Sequence, residues 1–170
     1  ENPEVIALLQ QNWYNHEGLR YFKKDSFEFK VETLGVFTNE NLIKKACEIL
    51  IEKLTKVGQK AIGDLPVEKS VSTIENAIDV RLDGFGYTVG KIIEYVLNKN
   101  YYQGDKMKTL SYVGFRKNHP HDEHSIIRMG FINDTFEQDQ IPLINAGKGL
   151  IRNACDDAII VLAGIMEEFN

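Results

Sequence analysis

Near the end of this chain lies an apolar helical stripe too wide for one neighbour to cover. From Pro142 onward, Leu143, Ile144, Ala146, Leu150, Ile151, Ala154, Ala158, Ile159, Leu162, Ile165, Met166 and Phe169 recur at three- and four-residue steps. Ile159 to Leu162 is apolar all round. Pro142 fits the first helical turn, where a backbone N–H has no intrahelical acceptor to lose. A helix of this kind packs on more than one neighbour. Its longest apolar run, Ala158–Met166, is nine residues, against ~20 needed to cross a bilayer. The expected partners are therefore protein surfaces and not a membrane.

A second stripe lies in the first half: Leu42, Ile43, Ala46, Ile49, Leu50, Leu54 and Val57, with Thr38 or Asn39 placed to N-cap it. At ~1.5–3 kcal/mol per buried side chain, the stripe represents on the order of 10 kcal/mol. Just before it, Phe27, Phe29, Val31 and Thr33 alternate with Glu28, Lys30 and Glu32, which predicts a half-buried strand broken by Gly35. One strand and one helix cannot bury that stripe alone. Residues 1–25 show no clean period and read as a connecting segment with Trp13, Tyr14, Tyr21 and Phe22 as anchors. Gly58, Gly63 and Pro66, with Lys56, Lys60 and Lys69, read as a linker over 58–73.

The second half, 74–170, starts afresh. Ile74, Ile78, Val80 and Leu82 alternate with Glu75, Asp79, Arg81 and Asp83 as a strand with a wet face. Residues 84–87 form a turn, Thr88 is a plausible N-cap, and Val89, Ile92, Ile93, Val96 and Leu97 form a helical stripe. A loop over 101–108, a strand over 109–115, a polar connection and an antiparallel mate over 124–132 precede the final helix. Segregated helices on a mostly antiparallel sheet make an α+β fold with long packed helices.

Charge limits the function classes. Twenty basic and 25 acidic side chains leave the 170-residue chain at −5, whereas a free-standing nucleic-acid binder needs clustered Lys and Arg to neutralise phosphates. The length suits one domain, or two small ones sharing a core, without a disulfide or metal staple. Cys47 and Cys155 both fall in helical patterns, which fits an intracellular, reducing compartment. No signal-peptide pattern is visible, and the chain begins at Glu1 without Met, so further sequence is expected upstream.

Three patterns have residues that could carry chemistry. Gly84-Phe-Gly86-Tyr-Thr-Val-Gly90-Lys91 sits between a strand and a helix, where phosphate loops sit. Lys91 is followed by Ile92 and not by Ser or Thr, and Val89 stands where a dinucleotide motif needs Gly, so a tight turn with Gly90 allowing close helix packing is the better reading. His119, His121 and Glu123 offer imidazole and carboxylate for zinc or acid–base work, and in an extended strand His119 and His121 would share a face. Two ligands are too few for a structural zinc site, and a polar connection with Pro120 holding His119 extended is the simpler account. Cys47 lacks an electropositive pocket, and Cys155 lies beside Asp156 and Asp157, which disfavour a thiolate. Residue chemistry thus favours an assembly module over an enzyme, with no cofactor in this chain.

The stretch from Thr88-Val-Gly90-Lys-Ile-Ile93, through Tyr112-Val-Gly114-Phe and His119-Pro120, to Ile126-Ile-Arg128 resembles the small α-like subunit of archaeal and eukaryotic DNA-dependent RNA polymerases. Thr88, Gly90, Gly114, His119, Pro120 and Arg128 carry the motif positions. Gly86-Tyr87 and Lys91 depart from it. The stretch Phe27-Glu-Phe-Lys-Val31-Glu-Thr-Leu-Gly35, with the amphipathic helix that follows, is similar to the C-terminal end of the larger α-like subunit. Together they resemble a fusion of the two subunits, as in polymerases of some large DNA viruses, with 26–57 from the larger and 74–170 from the small one.

The resemblance implies a non-catalytic scaffold. The helices at 39–57 and 140–168 should pack together. Phe27, Phe29, Val31, Leu42, Ile43, Ile49, Leu50, Leu54, Ile92, Ile93, Leu150, Ala154, Ile159 and Leu162 are the expected dimerisation and assembly residues. The partners implied are the large catalytic and the small polymerase subunits, with DNA and RNA reached only through the complex. The polymerase Mg²⁺ belongs to the large subunits. The setting implied is the nucleus or cytoplasm of a host cell, or a virion. The alternatives are an independent metal-binding or hydrolytic domain using His119 and His121, and a homo-oligomeric platform of bacterial type.

Overall fold

Helix signals begin earlier in the chain than the hydrophobic periodicity does. The structure, a computed structural model, describes residues 2–132 and 140–169. Glu1, Asn170 and 133–139, which fall within the predicted 1–25 and 74–170 segments, lie outside the described residues. The chain forms two compact units, 1–34 and 35–170.

In the first unit, α1 (Pro3–Asn15) replaces the connecting segment expected over 1–25. Its start follows local rules. The Asn2 side chain accepts the Glu4 N–H at 3.1 Å, Pro3 opens the helix, and Glu4 suits the positive helix end. Trp13 stacks on Tyr21 at 6.0 Å and meets Tyr14 edge-on at 5.2 Å, so the anchors serve one another. None of the α1 residues is buried.

The strand expected over 27–33 is absent. No strand spans these residues, Phe27 and Phe29 are 74% and 85% exposed, and Val31 is half-buried. Alternation makes a segment fit to be a strand, but a strand is stabilised by its ladder and its cross-strand neighbours. This segment has neither.

In the second unit, Thr38 caps α2 (Asn39–Ile62), its hydroxyl accepting the Asn41 N–H at 3.2 Å. This helix runs five residues past the expected end at Val57, so the predicted linker over 58–73 is not one. Its first part is the last turn of α2, with Gly58 and Ala61 buried, and after Pro66 it supplies β1 (Val67–Lys69). The divide between compact units falls after Leu34 because burial of the α2 stripe binds that helix to the second half.

β2 (Ala77–Asp83) begins three residues later than expected, behind Asn76, whose φ of 47° interrupts extended backbone. Gly86, not Thr88, is the N-cap of α3 (Tyr87–Leu97), and Thr88 is an exposed residue of its first turn. A π-helical turn, Asn98–Tyr102, extends α3 into the expected loop. β3 (Leu110–Arg116) and β4 (His124–Phe131) are antiparallel mates as predicted. α4 (Gln140–Glu167) closes the unit.

The four strands form one antiparallel sheet in the order β1-β2-β4-β3. The fold is therefore α+β: a four-stranded antiparallel sheet with four α-helices among the described residues. Ile78, Val80 and Leu82 of β2, Ile127, Met129 and Phe131 of β4, and Leu110 of β3 join Val89, Ile93 and Leu97 of α3 in a core completed by α2 and α4. Gly90 is required there: a Cβ at that position would run into the Phe115 ring, so its absence lets α3 lie close on β3.

Candidate assembly interface

The two helical stripes meet. α2 and α4 pack antiparallel: Gly58 lies opposite Cys155, and further along α2 the Gly63 carbonyl accepts from Lys148 Nζ, nearer the start of α4, at 2.7 Å. A Cβ on Gly58 would sit 3.5 Å from the Cys155 Cβ, so the helices approach closely at small residues. Leu54, Val57 and Ala61 are buried with Ile151, Ala154, Cys155 and Ala158. The expected pairing of the helices at 39–57 and 140–168 is observed.

Beyond this buried middle the stripes continue with less cover. Toward the N-terminus of α2, Leu42, Ile43 and Leu50 are half-buried and Ile49 is 44% exposed. Toward the C-terminus of α4, Ile159 and Leu162 are partly buried against the core, while Ile160 and Val161 are 69% and 62% exposed. Leu150 is half-buried, Ile92 partly so, and Ile93 fully buried. Of the predicted assembly residues, those of α2, α3 and α4 all belong to the second compact unit, and Phe27, Phe29 and Val31 belong to the first.

The motif residues serve separate local roles. Gly114 lies beneath the Tyr112 ring, as Gly90 does beneath Phe115. Lys91 pairs with Glu94, whose other oxygen accepts the Phe115 N–H at 2.9 Å and so occupies one donor on the free edge of β3. His119 and Pro120 sit in a turn, not in the extended backbone expected. The Asp122 N–H donates to the His119 carbonyl at 3.0 Å, with Pro120 at the second turn position, where its fixed φ is favoured. The Asp122 carboxylate accepts the His119 N–H at 3.0 Å, and His119 Nδ1 accepts the His121 N–H at 3.2 Å. The two imidazoles do come together, at 5.1 Å between centroids. Among the described residues no group of three metal-ligating side chains forms.

Arg128 carries the interaction that the sequence reading missed. Its guanidinium holds Asp79 with Nε–Oδ1 at 2.6 Å and Nη2–Oδ2 at 2.7 Å, and Arg116 approaches the same carboxylate at 3.5 Å. Asp79, predicted on the wet face of its strand, is buried. The hydrogen bond from Arg128 holds its carboxyl below the ordinary range against the opposing effect of burial. The alternation placed Asp79 on the correct face, but the partners arrive from β4 and β3, far along the chain. A second cluster, Asp157 with Asn100 at 2.8 Å and Lys106 at 2.6 Å, ties α4 to the π-helical turn.

Cys47 and Cys155 are both free and buried. Burial first, then Asp156, pushes the Cys155 thiol up to about 12, so it is a packing residue and not a nucleophile. No described helix is long and apolar enough to cross a membrane. Neither a scan against protein-family models nor a comparison with curated proteins returns a match.

Proposed function

We propose that the chain is a non-catalytic assembly subunit of a multisubunit DNA-dependent RNA polymerase, joining the C-terminal end of a larger α-like subunit, 26–57, to a small α-like subunit, 74–170, in an RNA polymerase α-like dimerisation fold. The observation that carries the reading is the pairing of α2 with α4, one helix from each resembling segment, across small residues at Gly58 and Cys155. The half-covered continuation of both stripes supplies apolar surface for further subunits. In this reading the large catalytic subunits bind on the platform with the small polymerase subunits, and Mg²⁺, template and transcript stay with the large subunits. The setting is the nucleus or cytoplasm of a host cell, or a virion.

Co-expression with the two large polymerase subunits of the same source tests it. A stoichiometric complex is expected on co-purification. Ile49→Asp and Val161→Asp alter exposed positions, so each should leave the isolated chain folded and abolish that complex, because a desolvated charge without a partner is costly. A chain that stays alone and monodisperse in the presence of both large subunits would overturn the reading.

A further inference from the structure

A basic groove runs along one flank of α2. Lys53, Lys56 and Lys60 follow one another at steps of three and four residues, which places them on one helical face. With Gln59, Gly84 and Phe85 they line a groove of about 460 Å³. Beside it lies a slot of about 170 Å³, floored by Val57, Leu65, Pro66 and Leu82, and Phe85 is a wall of both.

The walls are held in place. The Phe85 carbonyl accepts from Ser125 Oγ at 2.8 Å, and Lys60 Nζ stands 5.9 Å from the Phe85 ring centroid. The acidic group on this wall, Asp83, is occupied by Arg81 at 2.8 and 3.2 Å. Asp64 lies at the far side of the slot. Lys56 pairs with Glu52 on open surface, while Lys53 and Lys60 have no ion pair among the described residues. In a chain of net charge −5, this flank sets Lys53 and Lys60, without ion pairs among the described residues, beside a slot that is apolar along Val57, Leu65 and Leu82 and charged at Asp64, Arg81 and Asp83.

We infer that the groove docks an extended acidic segment of another protein, with carboxylates along the Lys53–Lys56–Lys60 line and one large apolar side chain in the slot beside Phe85. Charge complementarity selects the partner. Three lysines on one short helical face meet a short run of carboxylates well, whereas a nucleic-acid backbone draws on a broader cationic surface. The docking does not depend on the polymerase reading, since the groove is complete within this chain.

Fluorescence anisotropy at low ionic strength tests this on the full chain, with a fluorescein-labelled peptide of Glu and Asp around a single central Phe. Saturable binding is expected. The triple variant Lys53→Glu, Lys56→Glu, Lys60→Glu should weaken it by about 10-fold or more, because three exposed charge pairs are lost and replaced by repulsion. Replacing the peptide's Phe by Ala should weaken it by about 10-fold, which probes the slot without altering the protein. Absence of saturable binding, equal binding of a Gln/Asn version of the peptide, an unaffected triple variant, or tighter binding of oligothymidylate would each overturn the inference.

Discussion

Removing the charge of Asp79 is the substitution with the most to say about how this sheet is held. In Asp79→Asn, Arg128 would remain where it is, with 16% of its side chain exposed and no anion opposite. Breaking a buried pair by removing one partner costs ~3–5 kcal/mol, because the remaining charge stays desolvated. The lower end applies here, about 3 kcal/mol, since some water reaches Arg128 and the neighbouring Arg116, 48% exposed, is already solvated. With a urea slope of ~2 kcal/mol/M, the unfolding midpoint should fall by about 1.5 M. Arg128→Met should cost a similar amount for the reciprocal reason. The combined Asp79→Leu, Arg128→Met variant should recover much of the loss, because no unpaired charge is then buried. The same pair sets a pH dependence. The Asp79 carboxyl is held below its ordinary 3.8, mainly by the Arg128 hydrogen bond. Its contribution is therefore fully present above that value and is lost as the pH falls below it, through the depressed folded value. Urea melts of the wild-type chain at falling pH should show that loss, and Asp79→Asn should lack it. A midpoint change equivalent to less than ~1 kcal/mol for each single variant, or simple additivity in the double one, would refute the account.

Gly90→Leu should destabilise the fold by ~1–3 kcal/mol through collision with the Phe115 ring, and Phe115→Ala in the same chain should relieve part of it, read by thermal melts. Leu54→Ala, at a fully buried position between the paired helices, should cost ~2–5 kcal/mol in urea melts. Thr38→Ala should cost ~1 kcal/mol by loss of the cap on α2, with Thr38→Ser close to neutral. Both thiols should resist a disulfide reagent in the native chain and react together once urea unfolds it; rapid native labelling of Cys155 would contradict its burial.

Periodicity carried most of the second unit. α3, β3, β4 and the length of α4 follow from apolar spacing, which also says that each stripe needs a partner; the α2–α4 pairing itself is what the resemblance implied. Misreadings arose where local and tertiary signals diverge. Gly58 and Gly63 read locally as a linker, yet Gly58 is a buried helix-interior residue facing Cys155 and Gly63 caps the same helix. Asn2 and Pro3 announce α1 by capping chemistry alone, without a buried stripe to match. The 27–33 segment has faultless alternation and no strand, because pairing is a property of two segments and the sequence of one cannot supply the other.

Local chemistry along the chain settles which residues prefer helix or strand, where caps and turns fall, and which faces are apolar. Those follow from backbone sterics and side-chain spacing within a few residues. Tertiary packing selects which distant residues meet. It set β4 between β2 and β3, brought Arg128 and Arg116 onto Asp79, and joined the Lys53–Lys60 flank to Phe85. The side-chain contacts among these join residues 25 to 49 positions apart, where no periodicity reaches and only the packing of whole elements selects the neighbours.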